Sequence, residues 1–203
     1  MMQRRLPGAA RKRITVGEDI RGADINALIH LICHMPENLV GLELGTYRGE
    51  SLVTLLQSCS NIKLLHSCDN YEPFEDCFTT PYTGKPDYIV DKIDQEYNEM
   101  FAKHLIKNSG CKDRVKLHKK KSLDLVGDFE NNSLDFVWID TLLTKEQMEE
   151  EITAWYPKIK KGGLFSGHDW NFYILQNFLH EFRKKNNIIN KMSTFDNNFA
   201  WFK

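Results

Sequence analysis

The sequence lacks a strong excess of either charge, and this limits the partners that it can attract. Its 203 residues include 27 lysines and arginines against 28 aspartates and glutamates, which gives a net charge of −1. A protein this close to neutral has no global field that would draw it to nucleic acid. The basic clusters at 4–5, 11–13 and 119–121 are better interpreted as a basic arm and a solvated loop. We therefore predict a small or weakly charged substrate and no nucleic-acid partner.

The chain also lacks paired cysteines and long apolar runs. Its five cysteines are widely spaced and include no Cys-x-x-Cys pair, so neither a disulfide framework nor a thiolate zinc site is indicated. No apolar stretch is long enough to span a bilayer, and the polar amino terminus has no apolar signal-peptide segment. We expect a soluble cytoplasmic protein in a reducing compartment, with no membrane partner.

Short apolar runs alternate with helical patterns along most of the chain. The predicted strands are 39–44, 62–67, 115–118, 134–139 and 164–166, followed by a hairpin of 188–192 and 199–202 around Asp196-Asn197-Asn198. Gly162-Gly163 is interpreted as the turn into the fifth strand. Strands that alternate with helices indicate βαβ units. The prediction is an α/β, Rossmann-like doubly wound sheet, mostly parallel with one antiparallel late strand and with helices on both faces.

The helical patterns predict which faces are buried. A first helix carries apolar residues up to Ile32, with Asp24 as its N-cap. Thr144 and Gln147 have the spacing of a capping box. The buried face of a longer helix is predicted to consist of Ile93, Tyr97, Met100, Phe101 and Leu105. We expect residues 1–18 to form a flexible basic arm and residues 19–203 to form a single domain.

Ligands of doubly wound sheets bind beyond the carboxyl ends of the strands, near the point where the strand order reverses. The residues at the ends of the predicted strands are Gly45, Asp69, 118–122, Asp140 and His168-Asp169. Several of them are ionisable. The candidate site is therefore confined to one edge of the predicted sheet.

A glycine turn, Gly45-x-x-x-Gly49, directly follows the first strand and opens a helix. Glycines let the backbone approach a ligand closely. The turn lacks the middle glycine that dinucleotide-binding enzymes need beside a pyrophosphate. Glu43 precedes the turn, and a carboxylate there repels a pyrophosphate but suits a cationic amino group. S-adenosylmethionine has such a group and no phosphate, so it is the predicted ligand, and an NAD-dependent oxidoreductase is the alternative.

Asp69 ends the second strand, 24 residues after Gly45. An acidic residue at this position commonly accepts hydrogen bonds from ribose hydroxyls. Taken singly, the turn and the acid are also typical of a tight loop and a solvated surface group. The ordered combination of strand, Glu43, two glycines, helix, strand and Asp69 favours a cofactor site.

Three segments resemble the motifs of class I S-adenosylmethionine-dependent methyltransferases, and more narrowly those of methyltransferase family 24. They are Val40–Ser51, Leu134–Asp140 and Trp155–Trp170, so the similarity covers about 40–170. An ordered set of motifs is more specific than any one of them. The resemblance implies the seven-stranded sheet of these enzymes, with S-adenosylmethionine as cofactor and S-adenosylhomocysteine as product.

The resemblance also implies roles for individual residues. Glu43 and Gly45 would lie near the methionine part of the cofactor, Asp69 on the ribose, and Lys121-Ser122 beside the adenine. The candidate cofactor-binding residues are Glu43, Gly45, Thr46, Tyr47, Gly49, Ser51, Asp69, Asn70, Lys121, Ser122 and Asp140.

Methyl transfer is an in-line displacement at an activated sulfonium carbon, so the protein must mainly align a nucleophile and remove its proton. Asp140 ends the fourth strand and His168-Asp169 end the fifth. These groups suit a general base or a divalent cation such as Mg²⁺ or Mn²⁺. We predict His168 as the base, with Asp140 and Asp169 orienting it or holding a metal, and Asn171 as an extra oxygen ligand. The alternative is that Asp140 caps a turn and His168 is a hydrogen-bonded loop residue.

Related sugar O-methyltransferases bind Mg²⁺ with carboxylates at the ends of these two strands, and they often have Asp-x-x-His after the fourth. Here Leu143 stands in place of that histidine, and His168 stands where some relatives have a second aspartate. Resemblance to these enzymes implies a sugar hydroxyl as acceptor, for example on a deoxyhexose of a glycan. The resemblance leaves open whether the protein forms a homo-oligomer and whether the chain is one domain of a larger glycan-assembly enzyme.

Residues 71–91 form a long irregular segment at the ligand edge, which is typical of a lid or substrate loop. Its aromatics suit a sugar ring or an aromatic acceptor, or else they simply anchor the loop. The candidate substrate residues are Tyr71, Trp170, Asn171 and Tyr173. The leading function is an S-adenosylmethionine-dependent O-methyltransferase. An N- or S-methyltransferase on a small metabolite and a non-catalytic cofactor-binding module are the alternatives.

Overall fold

A computed structural model describes residues 25–75, 89–141, 144–195 and 197–203. The predicted basic arm, the N-cap at Asp24, most of the predicted lid, the Leu143 position and Asp196 lie outside these ranges. The helices are α1 (Asn26–Cys33), α2 (Glu50–Ser58), α3 (Lys92–Asn108), α4 (Ser122–Leu125), α5 (Lys145–Trp155) and α6 (Tyr173–Lys185). The strands are β1 (Leu39–Leu44), β2 (Ile62–Asp69), β3 (Phe74–Glu75), β4 (Ile89–Val90), β5 (Val115–Lys119), β6 (Leu134–Ile139), β7 (Ile159–Gly167), β8 (Ser193–Phe195) and β9 (Asn198–Phe202).

Seven strands form one sheet in the order β5-β2-β1-β6-β7-β9-β8. The neighbouring pairs from β5 to β7 are parallel, whereas β9 runs antiparallel to both β7 and β8. The strand order reverses between β1 and β6, because β2 and β5 lie on one side of β1 and the later strands on the other. The predicted doubly wound sheet with one antiparallel late strand is confirmed. A short antiparallel pair, β3 and β4, flanks residues 76–88.

The sheet separates two apolar layers, and β6 shows how the sequence divides them. Phe136 and Trp138 belong to the layer formed with α1 and α2. Val137 and Ile139 point to the layer formed with α5 and α6. Side chains of a strand alternate between the two faces, so an uninterrupted apolar run such as β6 is buried on both. Within the described ranges, no helix is long and apolar enough to cross a bilayer.

Strand β7 begins earlier than predicted, because Gly162-Gly163 lies inside the strand rather than forming the turn before it. The β6–β7 register shifts between Leu134 and Phe136, so the glycines form an irregularity within the ladder. The Gly162 amide donates to the Lys203 carbonyl (2.7 Å), and the Lys203 amide donates to Gly163 (2.8 Å). A Cβ on Gly163 would lie 2.7 Å from the Asp135 carbonyl oxygen. Gly163 therefore permits close strand packing, whereas Gly162 supplies the positive φ of +80° within the irregularity, and the predicted turn was wrong.

The closing hairpin is confirmed, but its first strand is β8 (Ser193–Phe195) and not 188–192. The Ile188 amide donates to the Arg183 carbonyl at 2.9 Å, which ends α6. Asn187 has a left-handed backbone with φ 52°. Ile189 is 93% exposed, so the apolar run there belongs to the helix end rather than to the sheet.

The buried face of α3 is only partly the one predicted. Ile93, Tyr97 and Met100 are exposed. Phe101 and Leu105 are half-buried, and Gln95 and Asn98 are buried. The Gln95 amide donates to the Glu72 carbonyl (2.7 Å) and the Asn98 amide donates to Gln95 Oε1 (3.2 Å). Asn98 Oδ1 in turn accepts a hydrogen bond from Arg48 Nε at 3.0 Å. Buried polar groups are tolerated when they are hydrogen-bonded, and these bonds attach α3 to the start of α2 and to the loop after β2.

Candidate functional site

The ends of the central strands bring the predicted site residues to one edge of the sheet. The Gly45 amide donates to Cys68 of β2 (2.9 Å), and the Asp140 amide donates to Leu44 of β1 (2.8 Å). The His168 amide donates to the Ile139 carbonyl of β6 (2.8 Å). These bonds extend the parallel ladder by one residue past each strand, so the glycine turn, Asp140 and His168 stand side by side.

The glycine turn has an unusual backbone that places it against Asp140. Gly45 has φ +92°, and a Cβ at this position would lie 2.0 Å from the Asp140 carbonyl oxygen. Tyr47 also has a positive φ (47°), as has Gly49 (75°), which is the N-cap of α2. Left-handed residues other than glycine and asparagine are uncommon and often occur at functional sites. In the described ranges they are Tyr47, Tyr71 and Asp169, all at this edge.

Glu43 is fully buried beneath the turn. Its carboxylate accepts hydrogen bonds from Ser51 Oγ and Ser67 Oγ, both at 2.6 Å. Burial raises the pKa of Glu43 to about 8, although the two serine hydrogen bonds lower it. The Ser67 and Thr46 hydroxyls are also hydrogen-bonded at 2.6 Å. Sequence reasoning missed Ser67. It stands beside Glu43 in the β1–β2 register, which becomes visible only once the two strands are paired.

Asp69 connects the turn to the loop after β2. Its Oδ2 accepts from the Tyr47 amide and its Oδ1 from the Tyr71 amide, both at 2.8 Å. Burial raises the pKa of Asp69, while these backbone hydrogen bonds lower it. The neighbouring Asn70 accepts from the Glu72 amide at 2.9 Å. Asp69 thus shapes the site as well as presenting a carboxylate to it.

Tyr71 lies against the glycine turn. Its side chain is buried, with 6% of the residue exposed. Burial raises the pKa of its phenol, and the charges of Asp69 and Glu43 act in the same direction. Its hydroxyl is buried and lies close to the Thr46 side chain, which acts on the pKa in the opposite direction. The residue predicted to contact the acceptor therefore stands beside the predicted cofactor residues.

Asp140, His168 and Asp169 form a compact cluster. His168 Nδ1 is 3.3 Å from Asp140 Oδ1 and 3.0 Å from Asp169 Oδ1. Burial by itself lowers the pKa of His168, but hydrogen bonds to the two carboxylates and their charges outweigh it and raise the pKa to about 10. The two carboxylates thus favour a positive charge at this position, carried either by the protonated imidazole or by a metal ion that displaces its proton.

The same cluster can hold a metal ion. One ligand atom from each of the three side chains lies within 4.8 Å of the others. The two carboxylates suit Mg²⁺ or Mn²⁺, and the imidazole adds a nitrogen donor that is more typical of Zn²⁺ or Fe²⁺ sites. Asn197 Nδ2 donates to Asp169 Oδ1 (3.3 Å), and Asn197 Oδ1 accepts from the Asn171 amide (2.8 Å). Asn197 was interpreted only as a turn residue from the sequence, yet it contacts Asp169 and the loop that follows it.

The side expected to contact adenine contains a buried carboxylate that the sequence analysis missed. Glu151 of α5 is 2% exposed and accepts hydrogen bonds from Ser122 Oγ and, at 2.6 Å, from Thr141 Oγ1. Burial raises the pKa of Glu151. Its signal in the sequence was its position among Met148, Ile152 and Trp155 on the core-facing side of α5. Lys121, by contrast, is exposed, with Nζ 3.3 Å from Glu72 Oε2.

The remaining acceptor candidates lie beyond His168-Asp169. The Trp170 ring packs on His180 and Phe199, with centroids 5.9 and 6.1 Å apart, so it is fixed between α6 and β9. Tyr173 is 67% exposed. A small cavity opens beside the cluster, with His168, Asp169 and Thr141 at its polar side and apolar residues of β6, α5, α6 and β9 around the rest.

Comparison with known proteins agrees with this geometry. The family profile described as "Methyltransferase domain", methyltransferase family 24, matches residues 42–170, more than half of the chain. A search of curated proteins found no match.

Three solved structures illustrate the shared fold. The O-methyltransferase TomG from Streptomyces achromogenes, involved in tomaymycin synthesis and solved with S-adenosylmethionine, is 13% identical, with 90% of this chain and 79% of TomG aligned at a TM-score of 0.61. The O-methyltransferase NovP is 18% identical, with 91% of this chain and 79% of NovP aligned at a TM-score of 0.59. A methyltransferase from Geobacter sulfurreducens is 12% identical, with 92% of this chain and 79% of that enzyme aligned at a TM-score of 0.59.

Proposed function

This chain belongs to methyltransferase family 24 and is a class I S-adenosylmethionine-dependent methyltransferase. We propose that it transfers the methyl group to a hydroxyl of a small molecule, and that this molecule is a sugar. The observation that carries the proposal is the Asp140–His168–Asp169 cluster beside the glycine turn. A hydroxyl needs help to lose its proton, whereas an amine or a thiol needs less.

The residues around the turn fit the cofactor. Glu43 and Asp69 are acceptors for the amino group and the ribose hydroxyls, and the positive charge of the amino group would favour the ionised form of Glu43. The left-handed backbone at Gly45 and Tyr47 lets the turn approach a polar ligand closely. Thr46, Gly49, Ser51 and Asn70 complete the proposed wall, and Lys121, Ser122 and Asp140 border its other end.

Asp140, His168 and Asp169 would hold a divalent cation. A cation held there would lower the pKa of an acceptor hydroxyl and favour its deprotonated form. Asp140 and Asp169 supply the charge, and Asn197 holds Asp169 through its side-chain amide at 3.3 Å. Asn171 stays a proposed extra ligand.

His168 as a general base is the second version of this proposal. In that version Asp140 and Asp169 orient the imidazole, and turnover needs His168 to have lost its proton. The two carboxylates favour a positive charge between them, and a cation that displaces the imidazole proton would supply it. We therefore give the cation the leading role and treat the base as the alternative at the same cluster.

The sugar acceptor is supported by the resemblance to sugar O-methyltransferases. The names of TomG and NovP place them among O-methyltransferases, which favours oxygen over nitrogen or sulfur. A cytoplasmic location, and a place within a larger glycan-assembly enzyme, belong to this proposal as well.

Release of S-adenosylhomocysteine in the presence of matched acceptors tests the function. We expect turnover with deoxyhexose-containing acceptors, loss of turnover after EDTA treatment, and recovery with Mg²⁺ or Mn²⁺. Undiminished activity in EDTA would contradict the cation role, and methylation only of amines or thiols would contradict the hydroxyl acceptor. Cofactor binding without turnover on any acceptor would support a non-catalytic module.

A further inference from the structure

Two cysteine thiols meet where the helices α1 and α2 end. Cys33 is the last residue of α1, and Cys59 is the C-cap of α2. Their Sγ atoms are 3.0 Å apart, and both cysteines are free. A disulfide bond is about 2.0 Å long, so a small approach of the two sulfurs would bring them to bonding distance.

Hydrogen bonds from other segments hold the backbone at both thiols. Asn61 Nδ2 donates to the carbonyl of Ile32, which precedes Cys33, at 2.8 Å. Arg114 Nη1 donates to the Cys59 carbonyl at 3.3 Å. Engineered disulfides often fail because closing them distorts the backbone. Here the backbone already holds the two side chains in contact, so closure needs no rearrangement of the fold.

The two thiols differ in their access to solvent. Cys33 is exposed, whereas Cys59 is fully buried. Oxidation of cysteine follows exposure and thiolate character, so an oxidant from solvent reaches Cys33 first. Burial raises the pKa of Cys59, and so do the hydrogen bond and the charge of Cys33, whereas Arg114 lowers it. Cys59 is therefore protected from direct oxidation while Cys33 stays reduced.

A zinc site is the other common role for neighbouring thiols, and the surroundings do not favour it. Structural zinc takes four ligands. Among the described residues, no histidine, cysteine or carboxylate adds a third ligand close to the two sulfurs. The chemistry open to the pair is therefore the reaction of the two sulfurs with each other.

We propose that Cys33 and Cys59 are an oxidation site, at which hydrogen peroxide converts the two thiols into a reversible disulfide. The Cys33 sulfur attacks the peroxide, so that an S–O bond forms, the O–O bond breaks and one water leaves. The Cys59 sulfur then attacks the sulfenic acid of Cys33. An S–S bond forms, the S–O bond breaks, and hydroxide leaves with the Cys59 proton as a second water. Two electrons pass from the thiols to the peroxide, and dithiothreitol reverses the reaction.

The disulfide closes a covalent loop over 33–59, which contains β1, the glycine turn and α2. A bridge of this kind stabilises a fold mainly by restricting the unfolded chain. The oxidised protein therefore keeps its fold and unfolds at a higher temperature. This inference is independent of the proposed acceptor.

Peptide mapping after treatment with a small molar excess of hydrogen peroxide tests the proposal. Trypsin separates the two cysteines into the peptides 22–48 and 49–63. With the remaining thiols blocked by N-ethylmaleimide, we expect these peptides to be joined in the oxidised protein and to separate after dithiothreitol. Cys33→Ser should give no joined peptide. Cys111→Ser, at a buried cysteine, is the matched control and should give as much as the wild type.

The unfolding temperature is the second readout. Oxidation should raise that of the wild type by about 5 °C or more, dithiothreitol should reverse the shift, and Cys33→Ser should show none. Absence of the joined peptides from the treated wild type, with Cys33 recovered as the thiol or as a higher oxide, would overturn the proposal. A bridge from Cys33 to a different cysteine would overturn it as well, and an unchanged unfolding temperature in bridged protein would overturn the stabilising role.

Discussion

At the scale of single residues, the site depends on buried groups that hold one another in place. Glu43 is kept in position by two serine hydroxyls, and Asp69 by two backbone amides. Such groups can bind a ligand without having to rearrange, which lowers the cost of binding. Preorganisation of this kind also makes the backbone of the turn intolerant of change.

Replacing Gly45 by alanine should destabilise the protein strongly. The added Cβ would lie 2.0 Å from the Asp140 carbonyl oxygen, at a position with φ +92°. We expect the free energy of unfolding, measured by urea titration, to fall on the order of 4 kcal/mol.

Gly110→Ala is the control for the backbone alone. Gly110 has φ +75° and nothing within 4 Å of an added Cβ, so the loss should be about 1–2 kcal/mol. Equal losses for the two variants would contradict the close contact between the turn and the end of β6.

At the scale of elements, the apolar runs predicted the central strands well. The bounds of β6 match the prediction at both ends. A strand that is buried on both faces is a continuous apolar run, which can be identified from the sequence without knowing its neighbours. The glycines of β7 and the first strand of the closing hairpin were misplaced, because both depend on contacts with distant segments. The face of α3 was misread because Gln95 and Asn98 are buried by hydrogen bonds that only the folded chain supplies.

The site residues also divide into those that a local pattern predicts and those that depend on distant contacts. Asp140, His168 and Asp169 could be predicted because the ends of parallel strands meet at one edge. Glu151 and Asn197 could not, because their partners come from other elements and no local pattern marks them.

A pair of histidines joins β2 to β5 and should make stability depend on pH. His66 Nδ1 and His118 Nε2 are 2.9 Å apart, and the His66 ring meets Phe129 edge-on with centroids 4.8 Å apart. Burial, with the charges of His118 and Lys116, lowers the pKa of His66 to about 4. The unfolded chain therefore binds a proton more readily than the folded one, and stability is lost as the pH falls below about 6.5 toward 4.

The free energy of unfolding, measured between pH 7 and 4, checks this dependence. We expect the wild-type protein to lose on the order of 2–3 kcal/mol more than His66→Gln over this range. His104→Gln, at an exposed histidine of α3, should follow the wild type. Parallel curves for the wild type and His66→Gln would show that the pair does not carry the effect.

At the scale of the whole molecule, the reversal of strand order brings two functions together. β1 and β6 are parallel neighbours, so the glycine turn after β1, the proposed cofactor site, lies beside Asp140 after β6. The Asp140 amide donates to Leu44 at 2.8 Å, which joins the two ends directly. The proposed methyl donor and the groups that act on the acceptor hydroxyl thus share one boundary of the sheet.

The rate of S-adenosylhomocysteine release by Asp169→Asn, at saturating S-adenosylmethionine and acceptor, tests this arrangement most directly. Asparagine tolerates the left-handed backbone at this position (φ 63°), so the fold should be kept and only the charge removed. Asp113→Asn, at an exposed aspartate, is the control. We predict a rate about 100-fold or more below wild type, with the Kd for S-adenosylhomocysteine changed less than about threefold. A wild-type rate in Asp169→Asn would contradict the account.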